Sequence, residues 1–156
     1  MSQRKTSILY SIMAAAALTL FSCSRLPIYS KYQHIGNDGW EKTDTLLFKI
    51  PVKQHGRYAV QLGMRADSFY PYTQLTVVVK QKTQENATER TDTLTLDITD
   101  TKGNIKGKGF SIYQYNYSLP QAILDDNDCL TVTIYHGMRR NILPGIKDVG
   151  ITVKSF

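Results

Sequence analysis

After residue 43 the chain reads with a period of two. Leu46, Phe48 and Ile50 fall on one face of Asp44 to Ile50, and Tyr58, Val60, Leu62 and Met64 on one face of Tyr58 to Met64. Leu75 to Lys80 is rich in valine, and Asp92 to Ile98 alternates Thr or Asp with Leu and Ile. Gly109 to Tyr115, Cys129 to His136 and Val149 to Val153 continue the series. Alternation built from Val, Ile, Thr and Tyr is what a pleated, half-buried surface selects, so each stretch predicts a strand. His136 closes its strand and reads as a rim residue.

Turn chemistry fills the gaps. Lys53 to Gly56, Asp100 to Gly103, Asp125 to Asp128 and Pro144-Gly145 carry the Gly, Asp, Asn and Pro that turns favour, and polar Thr83 to Thr91 predicts a hairpin tip. Helical periodicity is not sustained, although Gln121 to Leu124 reads as one helical turn. Seven or eight short strands define an all-β antiparallel sandwich, of jelly-roll or immunoglobulin-like type, with a closed barrel as the alternative.

The first residues follow another rule. Arg4 and Lys5 precede an uncharged, apolar run from Ile8 to Phe21, the pattern of a secretory signal peptide. The run is shorter than the roughly 20 residues a membrane-spanning helix needs. It ends Leu20-Phe21-Ser22-Cys23, which resembles a bacterial lipobox. Residues 1–22 are then a lipoprotein signal peptide, and Cys23 takes a covalent lipid as the first mature residue. Residues 23–43 form an acylated N-terminus and tether, whose aromatics pack along the body, and 44–156 the sandwich domain. Several acyl chains hold a protein on a membrane without a spanning helix. Arg25 rather than an acidic residue follows at the second position after the anchor, and no acidic residue precedes Asp38. That pattern predicts an outer-membrane protein facing the periplasm.

With 156 residues and a formal net charge of +6, the chain is of one-domain length. Its charges are scattered, which argues against nucleic acid as a partner. With Cys23 lipidated, Cys129 has no disulfide partner and reads as a buried, inert thiol.

Candidate chemistry is sparse. Elbow, P-loop, zincin and Cys-x-x-Cys motifs are absent from the sequence, and His34, His55 and His136 lack metal-ligand spacing. The reading is a non-enzyme with no cofactor beyond the lipid on Cys23, no metal site and no catalytic residues. Aromatic residues are the better signal. Phe69-Tyr70-Pro71-Tyr72 lies in a strand connection, and two strands end Gly-Met-Arg, at Arg65 and Arg139. If those strands run in one sense, Arg65, Tyr70, Tyr72, Arg139 and Arg140 form a candidate partner-binding patch, because Arg and Tyr are the types that anchor interfaces. The competing account pairs Arg65 and Arg139 with Asp67 and Asp148. Tyr-rich loops also fit stacking on sugars, so a carbohydrate-binding module is the rival to a protein-binding one.

Four segments, "GWEKTDTLLFKIP", "YAVQLGMRADSFYPYTQLTVVV", "DTLTLDITDTKGNIKGKGFSIYQ" and "HGMRRNILPGIKDVGITVK", resemble the GldH-type gliding-motility lipoproteins of Bacteroidetes. The resemblance runs in order from about Tyr29 to Lys154. It implies an outer-membrane lipoprotein that serves as an accessory subunit of a cell-envelope machine with protein partners, and it brings no catalytic residues. Asp44-Thr45-Leu46 and Asp92-Thr93-Leu94 resemble the Asp-Ser/Thr-apolar signal for O-glycosylation in that group, which makes Thr45 and Thr93 candidate sites.

Overall fold

A computed structural model of the chain describes residues 26–85 and 87–156. Its strands are β1 (Tyr29–His34), β2 (Trp40–Glu41), β3 (Leu46–Pro51), β4 (Gly56–Asp67), β5 (Gln74–Thr83) and β6 (Glu89–Asp97). They continue with β7 (Lys108–Gly109), β8 (Ile112–Ser118), β9 (Ala122–Leu124), β10 (Cys129–His136), β11 (Ile142–Leu143) and β12 (Ile146–Ser155). One sheet has the order β1-β12-β4-β8-β7, with β9 also paired to β4, and the other the order β3-β10-β5-β6. β2 and β11 form a small ribbon. Every pairing is antiparallel, and the two sheets enclose one core as a β-sandwich.

The core is the face that alternation marks. Leu46, Phe48 and Ile50 of β3 are buried opposite Val60, Leu62 and Met64 of β4, and Leu130, Val132 and Ile134 of β10 join Val149, Ile151 and Val153 of β12. Each such fully buried side chain contributes about 1.5–3 kcal/mol of transfer free energy.

The stretch read as a tether holds an edge strand. β1 pairs with β12 from Tyr29↔Val153 to His34↔Asp148, so the folded body starts well before residue 44. Gln121 to Leu124 is not a helical turn. β8 and β9 run along β4 as one strand broken at Leu119–Gln121, where Pro120 has no N–H for the ladder, and Ala122↔Tyr58 resumes the pairing. His136 is fully buried, not on a rim. It points inward with Leu130, Val132 and Ile134, beneath Trp40, whose ring meets it edge-on at 5.4 Å. Cys129 is half-buried, with a free thiol.

Register places the connections at two ends. Tyr29, Ser155 and the starts of β4, β6 and β10 share one end. The other end carries the β4–β5, β6–β8 and β10–β12 connections. The twelve residues of β4 separate the ends by roughly 40 Å. Along the β8 side the sheets are joined by tyrosines. Tyr115 Oη donates to the Ile98 carbonyl at 3.2 Å and Tyr117 Oη to that of Asp97 at 2.8 Å. Burial, aided by Tyr115 and Asp97, pushes the Tyr117 phenol up to about 12, so it stays a protonated donor.

Candidate functional site

The loops after β4 and β10 emerge at the same end and touch. Asp67 N–H donates to the Gly145 carbonyl at 2.8 Å. Gly145 sits at φ +81° against the Tyr70 backbone, a position where a Cβ would collide. Lys147 Nζ is 3.1 Å from Asp67 Oδ2 and ties the same two segments.

The five candidate anchors divide. Tyr70 is a core residue: it is 7% exposed, its hydroxyl donates to the Gln74 carbonyl at 2.9 Å, and burial raises its phenol far above the ordinary range. It therefore offers no surface to a partner. Half-buried Tyr72 meets it edge-on at 5.7 Å. Arg65 is not on the loops. It lies on the outer face of the larger sheet, its guanidinium 4.4 Å from the Tyr32 ring centre, with Nε donating to Gln114 Oε1 at 3.0 Å. Its Nη1 is 3.7 Å from Asp148 Oδ2, so Arg65 follows the ion-pair account. Arg139 and Arg140 are exposed and rim an open depression with Asp38, Asn141, Ile142 and Pro144.

Phe69, Phe110 and Ile112 are the most exposed apolar side chains of this end. Phe69 is 77% exposed, Phe110 93% and Ile112 50%. Asp67 and Ile112 are cross-strand partners, and each Phe lies two residues from that pair. Phe69 belongs to the aromatic loop visible in the sequence. Phe110 gives no such signal, because its exposure follows from the β7–β8 turn. The end thus presents Phe69, Phe110, Ile112, Arg139 and Arg140, without Tyr70.

Thr45 and Thr93 are both exposed. They lie at opposite edges of the smaller sheet, Thr45 just before β3 and Thr93 on β6. Cys23 lies outside the described residues. Among the described residues, no group of three or more His, Cys, Asp or Glu is placed to hold a metal ion, and no helix is long and apolar enough to cross a membrane.

Fold and loops define an antiparallel β-sandwich that offers aromatic and arginine side chains at one end. The family model described as GldH lipoprotein matches residues 27–153, and the chain belongs to that family, known from Bacteroidetes. The chain is 29% identical over 101 residues to the gliding motility lipoprotein GldH of Flavobacterium johnsoniae. That match covers 64% of this chain and 62% of the relative's length. Among solved structures, a protein from Sulfurospirillum deleyianum aligns over 82% of this chain and 98% of its own, at 10% identity and a TM-score of 0.41.

Proposed function

We propose that the chain is an outer-membrane lipoprotein of the gliding-motility type, held by lipid on Cys23 and facing the periplasm. It works there as a non-catalytic binding subunit of a cell-envelope machine. The observation that carries this reading is the division of the sandwich into two ends. Ile28 N–H is already bound to the Val153 carbonyl, at 2.9 Å. An extended segment from Cys23 to Ile28 reaches at most about 18 Å. The end holding Tyr29 and Phe156 then rests near the membrane, and the end with Phe69, Phe110, Arg139 and Arg140 is held away from it. Exposed aromatics and arginines are the residue types that anchor protein interfaces. The rival reading, sugar stacking on the tyrosine loop, loses its platform because Tyr70 is buried. Thr45 and Thr93 are O-glycosylation sites in this reading, and the intact mass of the mature protein tests them.

Two measurements in the native host test the proposal. Cys23→Ala is expected to lose palmitate and leave the outer-membrane fraction. Photo-crosslinkers at positions 69 and 110 are expected to capture one discrete protein, while one at Arg57, at the opposite end, does not. Palmitate retained in Cys23→Ala, or equal capture at all three positions, overturns it.

A further inference from the structure

The tyrosines that join the sheets stop short of the anchor end. Beyond Tyr117 and the buried Leu119 the strand breaks at Pro120, and it resumes inward with Ala122, too small to cross the gap. A cavity of about 390 Å³ opens there, at the small end of the ~300–1,000 Å³ typical of ligand pockets.

Its two walls differ in chemistry. The smaller sheet supplies Gln81 and Arg90, which are direct cross-strand partners, with Thr83 and Thr88 beside them. β9 and the residue before it supply Gln121, Ala122 and Ile123, and Leu130 forms the apolar floor. Gln81 is 7% exposed and Thr83 9%, so both are polar groups buried in the mouth of a hydrophobic sandwich, with Gln81 Nε2 donating to the Pro120 carbonyl at 3.5 Å and its Oε1 left to accept. Thr83 Oγ accepts the Thr88 N–H at 3.2 Å, which leaves its hydroxyl proton free to donate. Arg90 Nε donates to Asp92 at 2.8 and 3.0 Å. Its two Nη groups have no hydrogen-bond partner among the described residues.

We infer that this cavity is a binding site for one neutral sugar unit. The Asp92 carboxylate already balances the Arg90 charge, so Arg90 offers donors without a net demand for an anion. Two carboxamides and two hydroxyls add both donors and acceptors, the complement of a ring of sugar hydroxyls. Leu130 and Ala122 face the C–H side of such a ring, with Ile123 at the rim. A fatty acyl chain would cover the solvent-reached Nη groups of Arg90 without pairing them, which is costly. Inward charges on an edge strand also hinder edge-to-edge pairing. That role accounts for Arg90 and Asp92, and the bond to Pro120 for one end of Gln81, but neither accounts for Gln121 and the empty space beside it.

The experiment uses the full chain, solubilised in a detergent without a sugar headgroup. Saturation-transfer NMR is recorded with glucose, galactose, mannose and N-acetylglucosamine, and with glucuronate, inorganic phosphate and dodecanoate as the other arms. Transfer from at least one neutral sugar is expected. Arg90→Gln should weaken it about tenfold, the worth of one charge-assisted hydrogen bond. Exposed Gln121→Ala should weaken it with an unchanged melting temperature, which separates loss of binding from loss of fold. No transfer from any neutral sugar, binding indifferent to both substitutions, or preference for glucuronate, phosphate or dodecanoate overturns the inference. The crosslinking result at positions 69 and 110 has no bearing on it.

Discussion

Tyr32 of β1 lies flat across the larger sheet and ends over Gly63 of β4, two strands away. Its register partner is Gly150, and Gly150 pairs with Gly63, so two glycines in line form a groove under the ring. A Cβ at Gly63 would overlap the Tyr32 hydroxyl, and one at Gly150 would stand 2.5 Å from its Cγ. Arg65 covers the ring from above, and Gln114 Nε2 donates to its hydroxyl at 2.9 Å. One side chain thereby straps the N-terminal strand to three others.

Gly63→Ala is therefore expected to expel the ring and destabilise the fold by about 1–3 kcal/mol, the usual cost of overpacking. In a Tyr32→Ala background the same change should cost little, since the clashing group is gone. Thermal unfolding of the wild type and the three variants checks this. Hydrogen exchange on β1 should rise in both single variants, and a cycle with no coupling would rule the strap out.

His136 makes stability pH-dependent. Neither ring nitrogen has a hydrogen bond of ordinary geometry. Burial depresses its pKa from the ordinary 6.5, outweighing the Asn141 and Trp40 carbonyls and Asp44, which favour the charged ring, while Lys42 adds to the depression. A depressed imidazole pKa means that the unfolded chain binds the proton first. Its effect is absent well above pH 6.5 and grows as a loss of stability when pH falls through 6.5 toward the folded value. Between pH 7.5 and 5.5 the wild type should lose more melting temperature than His136→Leu, in which the ring is gone. Parallel slopes for the two proteins would show that the ring titrates alike in the folded and unfolded chain.

Parity along the strands was legible in the sequence, and it located the core. It also placed His136 in phase with Leu130, Val132 and Ile134. The rim reading followed residue type instead of position, and position decides because Trp40 arrives from a distant ribbon to cover the ring. β1 was hidden for a related reason. In Tyr29-Ser-Lys-Tyr-Gln-His34 the large aromatic Tyr32 is on the outer face, where Gly63 and Gly150 receive it, so no apolar alternation shows. Tyr70 and Arg65 looked like surface anchors because what occupies them, Gly145 and the Tyr32 ring, is far away in sequence. The sugar-sized cavity depends on the absence of a large side chain at Ala122, a feature of the assembled sheets.

Asp128 holds the start of the β5–β6 connection. It is 2% exposed, and its Oδ1 accepts N–H groups from Gln84 at 3.0 Å, Glu85 at 3.1 Å and Cys129 at 2.7 Å. Asp128→Ala leaves those donors without that acceptor and should cost about 2–4 kcal/mol, at roughly 1–3 kcal/mol per stranded buried group with some rescue by water. Asp128→Asn keeps an acceptor oxygen and should recover much of it. Denaturant midpoints measure both, and equal losses would mean that the carboxylate charge, not the acceptor geometry, is what matters.

The loop end separates residues that carry structure from residues that meet a partner. Tyr70→Ala removes a buried ring and should cost about 3–5 kcal/mol, as large aromatic truncations in cores do. Tyr70→Phe loses only the hydroxyl bond to Gln74, about 1 kcal/mol. Phe110→Ser and Arg140→Ala alter side chains that are already in water, and exposed changes usually stay within about 0.5 kcal/mol. Partner capture is expected to move the other way: abolished in Phe69→Ser/Phe110→Ser, reduced in Arg140→Ala, and retained in Tyr70→Phe. Solubility supplies an independent reading, since removing two exposed phenylalanines should lower self-association of the purified protein if they are unpartnered in solution. Melting curves and crosslinking yields from the same preparations decide the matter. A large stability loss in Phe110→Ser would make that residue part of the core packing, and undiminished capture in the double variant would move the binding surface away from this end of the sandwich.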